Sequence, residues 1–326
     1  MNKTVVVTGG CGYIGSHVAR AFKENGDRVF IIDNVKREHT LKNIDGWFID
    51  DFASDAALSS LVHLFPDVIV HCAGTSLVGP SLQNPGAYYD NNIAKTIKLL
   101  NVVKDLPKKP YILFSSSASV YGLPNTLPIR ETAKLDPISP YGSTKAMTER
   151  ILYDYRAYGL QSICFRYFNA AGAEPRDFDL GQEPGATHLI ARAIEASLYK
   201  MPITIYGQNY GTTDGTCIRD YVHVWDIAQA HVQGVEYLDR DVDLVGDVQT
   251  HVFNLGTNKG ISNKEIVSYI DVKYGLTDIL IGANRPGDPA ALIADATDAR
   301  QFLGWVPHFS NIGNIIDSAY KWYTRT

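Results

Sequence analysis

The sequence predicts an α/β protein: a doubly wound parallel sheet followed by a smaller C-terminal lobe. Three observations predict it. Short β-branched or apolar runs recur at residues 4–8, 29–33, 68–71, 111–115 and 162–167, with helical stretches between them. Strands covered on both faces read as continuous apolar runs, and helical crossovers join parallel neighbours. A glycine cluster follows the first run directly, and after Asn169 the texture changes to Gly- and Pro-punctuated segments at 175–185 and 207–215, with helical runs at 188–199 and 225–238. We therefore expect a nucleotide-binding domain over 1–168 and a second lobe over 169–326, with later segments returning to the first domain.

At 326 residues the chain is long enough for one large domain or two joined ones. Hydrophobic residues make up 45% and charged residues 20%, which excludes a disordered or fibrous chain. Thirty basic against thirty-five acidic residues leave a net charge of −5, with no Lys/Arg run long enough to track a phosphate backbone, so nucleic acid is not an expected partner. No charged segment followed by an apolar one opens the chain, and no apolar run reaches membrane-spanning length, so a cytoplasmic protein with no membrane partner is expected. Cys11, Cys72, Cys164 and Cys217 are widely separated, which suits reduced thiols better than disulfides or zinc knuckles.

Gly9, Gly12 and Gly15 form GxxGxxG immediately after the first strand, and Ile14, Val18 and Phe22 then continue at helical spacing. Glycines permit a tight turn and close backbone approach to a pyrophosphate, whose charge is stabilised by the free N–H groups of the helix N-terminus. Asp33, eighteen residues beyond Gly15, closes the next strand, where a carboxylate can accept both hydroxyls of an adenosine ribose. It would repel a 2′-phosphate, so NAD is expected over NADP.

Ser139-Pro140 reads as the N-cap and first position of a helix that Gly159 stops. Tyr141 and Lys145 then share one face at i,i+4, and the ammonium is expected to lower the phenol from its ordinary value of about 10, fitting it as a base. Ser117 follows the fourth strand, at the end of the sheet where ligands of such folds bind, and can orient a proton there. By themselves a Tyr and Lys four apart are helix neighbours and a serine triplet is a turn; beside a nicotinamide site they form a catalytic set.

These features resemble the extended short-chain dehydrogenase/reductase family, with the glycine cradle at 9–15 and YxxxK at Tyr141–Lys145. Segments 8–17, 71–74, 88–92, 115–122, 166–169, 214–223 and 254–256, and Arg285-Pro286-Gly287-Asp288, are similar to its UDP-glucose 4-epimerase branch. The resemblance implies a Rossmann sheet with a C-terminal substrate-binding lobe, NAD as cofactor, a UDP-hexose as substrate, C4 epimerisation through a transient 4-keto sugar, and a homodimer. It implies that Tyr13, Ile14, Asp33, Asn34, Asp51, Phe52, Ala73, Asn91, Tyr141, Lys145 and Tyr167 contact NAD with the cradle glycines. Asn169, Leu189, Tyr206, Arg219, Arg285 and Asp288 would hold the UDP portion, with Ser117 at the sugar. Three departures are Ser76, where well-known bacterial members carry lysine, His188 in place of asparagine, and Leu292 in place of a tyrosine, a change associated with room for an N-acetyl group.

Ser117 is followed by Ala118-Ser119 rather than Asp-Glu, so the acid–base pair of nucleotide-sugar 4,6-dehydratases is missing. A reductase or decarboxylase of similar fold stays open, as does a non-catalytic NAD(H) sensor, against which the intact Tyr141, Lys145 and Ser117 argue. Arg219 has a purely structural alternative, pairing with Asp220 or Asp226. Asp177-Phe178-Asp179 has the DxD spacing of metal sites but reads as a solvated loop, and Cys11 with His17 lacks zinc spacing, so no metal is expected. His71 and His223 read as core histidines.

Overall fold

The computed structural model describes residues 2–245, 248–285 and 287–325; Pro286 of the Arg285–Asp288 motif lies outside them. Six strands appear in chain order as β1 (Thr4–Thr8), β2 (Arg28–Asp33), β3 (Gly46–Ile49), β4 (Val68–His71), β5 (Tyr111–Ser117) and β6 (Ser162–Tyr167). A seventh strand, Thr250–Leu255, joins them in one sheet with the order Thr250–Leu255, β6, β5, β4, β1, β2, β3. Every pairing in it is parallel. The strand order reverses between β1 and β4, and a cleft opens at the carboxyl ends of strands flanking such a switch point.

Alternation along the strands divides the core. Val5, Val7, Leu113, Ile163 and Phe165 pack on one face in a cluster shared with α1 (Tyr13–Glu24) and helix Val224–Val245. Val6, Ile69, Ile112, Phe114 and Cys164 pack on the other with side chains of helices Asp55–Leu64, Lys95–Val103 and Pro140–Tyr155. Such fully buried side chains contribute about 1.5–3 kcal/mol each. A third cluster is built by helices Leu189–Tyr199, Asn263–Tyr274 and Ile312–Thr324 around Ile194, Ile203, Ile266 and Ile316.

The five strands expected from apolar runs are present, with β2 beginning at Arg28 and β5 extending to Ser117. Two strands of the sheet were not expected. The edge strand β3 leaves Trp47, Phe48 and Ile49 exposed and carries no alternation to read. Thr250–Leu255 lies beyond the expected boundary, and with helix Val224–Val245 it returns to the first core. The helix expected at 225–238 runs on to Val245.

Candidate active site

The helix that delivers Tyr141 begins as its sequence dictates. Ser139 Oγ accepts from the Gly142 N–H at 3.1 Å, Pro140 occupies the first turn, and Tyr155 passes into the short 3₁₀ segment Arg156–Tyr158 before Gly159 at φ +85°. The cradle is equally specific. Gly9 sits at φ +71°, and a Cβ there would lie 2.6 Å from the Ala73 nitrogen, while one on Gly15 would lie 2.2 Å from the Gly9 carbonyl oxygen. Only glycine fits both positions. The turn therefore presents bare backbone, and Gly12 caps α1 without any side chain in the way.

Two connected halves of about 740 and 430 Å³ make up the cleft, and Cys72, Gly74, Ser76 and Leu77 line both. The smaller half is walled by Asp33, Asn34, Asp51, Phe52, Ala73 and Asn91. Asp33 accepts from the backbone N–H of Cys11 and of Val35, each at 2.9 Å, which fixes its carboxylate at the end of β2. Burial pushes Asp51 up, but the Lys95 ammonium and the Ala53 N–H outweigh it and hold this carboxyl below its usual range. Asn91 donates to Thr75 Oγ1 at 3.1 Å and accepts from Lys95 at 3.2 Å.

Gly9, Gly12, Tyr13, Ile14 and Gly15 form one end of the larger half, and Ser117, Tyr141, Lys145 and Tyr167 its floor. Tyr13 donates to the Gly172 carbonyl at 2.7 Å. The Tyr167 hydroxyl is held by Ser115 Oγ at 2.9 Å and His231 Nε2 at 2.8 Å. Lys145 donates to the Ser115 carbonyl at 2.7 Å, and its ammonium lies 4.7 Å from the Phe114 ring centre and 5.8 Å from that of Tyr141. Burial brings Lys145 down to about 8. The expected acidic phenol is corrected here. Burial raises Tyr141 above its ordinary value, and a hydrogen bond with Ser117 offsets this only partly.

Asn169, Leu189, Arg219, Arg285, Asp288 and Leu292 line the far part of the same cavity. Arg219 on strand Ile218–Arg219 is buried and pairs with Asp288 at 2.6 Å, not with Asp220 or Asp226. Those two are engaged elsewhere: Asp220 accepts from Thr257 and Asn258, and Asp226 from His308, Phe309 and Ser310. Leu292 lies in register beside Arg219. Tyr206, expected at the UDP portion, is exposed and does not line the cavity, though its ring lies 4.2 Å from the Arg285 guanidinium. The other two departures, Ser76 and His188, also lie at the cleft: Ser76 is exposed in its wall, and Gln182 donates to His188 Nδ1 at 3.3 Å.

Phe168, Asn263, Trp322 and Tyr323 also line the cavity and were not singled out in the sequence. For Phe168 the signal was its place inside the 166–169 motif; the other three come from helices whose approach no local pattern announces. His71, between Thr8 Oγ1 at 2.8 Å and Thr96 Oγ1 at 2.9 Å, and His223, bonded to Ser318 at 3.1 Å, are core histidines that burial brings to about 3. In the DxD segment, Asp179 pairs with Arg20 at 2.9 Å.

Residues 5–256 match the family model described as the NAD dependent epimerase/dehydratase family. The chain is 38% identical to UDP-glucose 4-epimerase of Halalkalibacterium halodurans, covering 98% of this chain and 95% of the relative. It is 39% identical to UDP-glucose 4-epimerase of Streptococcus mutans, covering 98% and 96%. Among solved structures, UDP-glucose 4-epimerase from Brucella ovis in complex with NAD superposes with a TM-score of 0.91 at 38% identity, covering 98% and 97%. The UDP-Glc/GlcNAc 4-epimerase of Campylobacter jejuni does so with 0.84 at 34%, covering both chains fully. The parallel sheet, the glycine cradle and the Tyr141–Lys145 helix thus sit on a chain that belongs to the NAD dependent epimerase/dehydratase family.

Proposed function

We propose that this protein interconverts UDP-glucose and UDP-galactose by inversion at C4 through a transient 4-keto sugar. The observation that carries this reading is a single cavity with a pyrophosphate cradle at one end, Arg219, Arg285 and Asp288 at the other, and Ser117, Tyr141 and Lys145 between them. The bare cradle and the Asp33 carboxylate suit NAD, and when bound it would accept and return a hydride at C4 with no net redox change. NAD is also what the Brucella ovis relative holds.

Tyr141 exchanges a proton with the sugar O4, Ser117 holds that phenol in line, and Lys145 supplies the positive charge that favours the phenolate when it forms. Arg219 and Arg285 anchor the diphosphate with charge-assisted hydrogen bonds. Asn169 and the backbone at Leu189 orient the nucleotide. Anchoring at the remote end leaves the hexose free to turn and present its other face. The same reading has a homodimer working in the cytoplasm on a UDP-hexose.

Leu292 favours a second substrate class, the N-acetylated UDP-hexosamines, because a medium-sized side chain rather than a tyrosine lines the cavity there, in register beside Arg219. The deciding experiment incubates the purified protein with UDP-galactose, without added NAD, and resolves the products by NMR. UDP-glucose is expected to accumulate; cofactor demonstrably bound with no turnover would favour a sensor instead. Parallel incubations with the N-acetyl sugars test the second class.

A further inference from the structure

Three buried side chains outside the reacting set tie together the elements that deliver it. Ser116 Oγ donates to Glu149, and Arg166 donates to the same carboxylate through Nε at 3.0 Å and Nη2 at 2.6 Å. Each partner is a chain neighbour of a residue at the cleft. Ser116 precedes Ser117 on β5, Arg166 precedes Tyr167 on β6, and Glu149 lies one helical turn beyond Lys145. Because side chains alternate along a strand, Ser117 and Tyr167 are free to line the cleft while Ser116 and Arg166 reach the helix packed on the opposite face.

The pair is closed to solvent, with 4% of the Arg166 side chain and 6% of the Glu149 side chain exposed. Arg166 also donates to the Tyr121 hydroxyl and to the Glu131 carbonyl, each at 2.9 Å, and Tyr121 in turn donates to Asn254 at 2.6 Å. Stability alone is a weak reason for such an arrangement, since well-packed apolar residues often replace a buried ion pair without loss. What the pair supplies beyond stability is fixed geometry among three elements.

We propose that Glu149 is a positioning residue for the epimerisation: by clamping Ser116 and Arg166 to the Tyr141 helix it sets the spacing of Ser117, Tyr141 and Lys145. This rests on the catalytic roles given above. Glu149 also bears on Lys145 electrostatically. Burial drives that ammonium toward the neutral amine, while Cys72 from β4's end and Glu149 from its own helix oppose the loss of the proton. Glu149 itself faces Arg166 and Cys164 from β6 and Ser116 from β5.

The test compares Glu149→Gln, Glu149→Asp and Ser116→Ala in kcat, KM for UDP-galactose and the pH dependence of kcat. Glu149→Gln is expected to lower kcat about tenfold, as a sub-ångström misplacement of reacting groups does, with KM within about twofold. It removes a negative charge and leaves Arg166 unbalanced, both of which weaken proton binding at Lys145. The decline of kcat at high pH should therefore begin about one unit lower. Ser116→Ala and Glu149→Asp keep the charges, so each should lower kcat severalfold with that decline unmoved. Wild-type kcat and an unmoved decline in Glu149→Gln, with only the melting temperature reduced, would overturn the proposal. If Glu149→Gln does not fold, wild-type kcat in both other variants would overturn it. A wild-type protein that fails to turn over UDP-galactose is a different result, and strikes the proposed function itself.

Discussion

Lys145 gives its ammonium to the main-chain carbonyl of Ser115 at 2.7 Å, so the charge beside Tyr141 is anchored to the strand rather than to the phenol's own helix. Burial brings this lysine down to about 8. The protonated form is therefore present below that pH and is lost as pH rises through it. We expect kcat to decline above pH 8, with Lys145→Met lowering kcat about a hundredfold and abolishing the decline. A pH–rate profile from 6 to 10 checks both, and a wild-type profile flat to pH 10 contradicts the role given to Lys145.

Tyr141→Phe removes the hydroxyl proposed to exchange the O4 proton while leaving the ring in place. Turnover should fall by about three orders of magnitude. UDP affinity, measured by calorimetry, should stay within about twofold, since the anchoring arginines are untouched. Near-normal turnover would remove Tyr141 from the chemistry.

Arg219 meets Asp288 across 69 residues of sequence, at 2.6 Å. Arg219→Met deletes a buried fork of donors and leaves the Asp288 carboxylate unpaired. The KM for UDP-galactose is expected to rise about tenfold to a hundredfold, the scale of one or two charged hydrogen bonds. Arg219→Lys should fall between, because a point charge cannot bridge two oxygens in the same way. Steady-state kinetics on the three proteins orders them.

Leu292 pairs in register with Arg219 and lines the same cavity. Leu292→Tyr should lower kcat/KM for UDP-N-acetylglucosamine at least about tenfold while changing that for UDP-galactose less than about threefold, as a steric discrimination does. Equal effects on both sugars would take the residue out of the specificity argument.

Glu131 is raised to about 7 by burial, with Asp298 and Asp295 adding to it and the Asn254 N–H, at 2.7 Å, opposing it. Its folded value stands above its unfolded one, so its contribution is favourable at low pH and lost as pH rises through 7. Glu131→Gln mimics the protonated form and keeps the acceptor for Asn254. Thermal melts should show the variant more stable than wild type at pH 8 by on the order of 1 kcal/mol, after allowance for solvent screening, with the gain shrinking as pH falls from 7 and gone below the unfolded carboxyl's value of about 4.

Much of this molecule was written in short stretches of chain. The strands at 4–8, 68–71 and 162–167, the bare turn at Gly9 and the Ser139-Pro140 helix start follow from local sterics, capping and apolar patterning, which act within a few residues. The cradle glycines, Tyr141, Lys145 and Ser117 were legible because they sit in motifs, whereas Asn34, Asp51, Phe52 and Leu189 came only from the family resemblance; all the candidate site residues but Tyr206 line the cleft. Folding alone decided the rest. The edge strand β3 and the returning strand Thr250–Leu255 are strands because neighbours complete their ladders. The partner of Arg219, the Ser115 carbonyl under Lys145 and the upward push on Tyr141 all depend on atoms far away in sequence. Local propensity reaches about one helical turn, whereas burial, ion pairing and the solvation of a phenol are properties of the packed interior, which exists only once the chain has closed on itself.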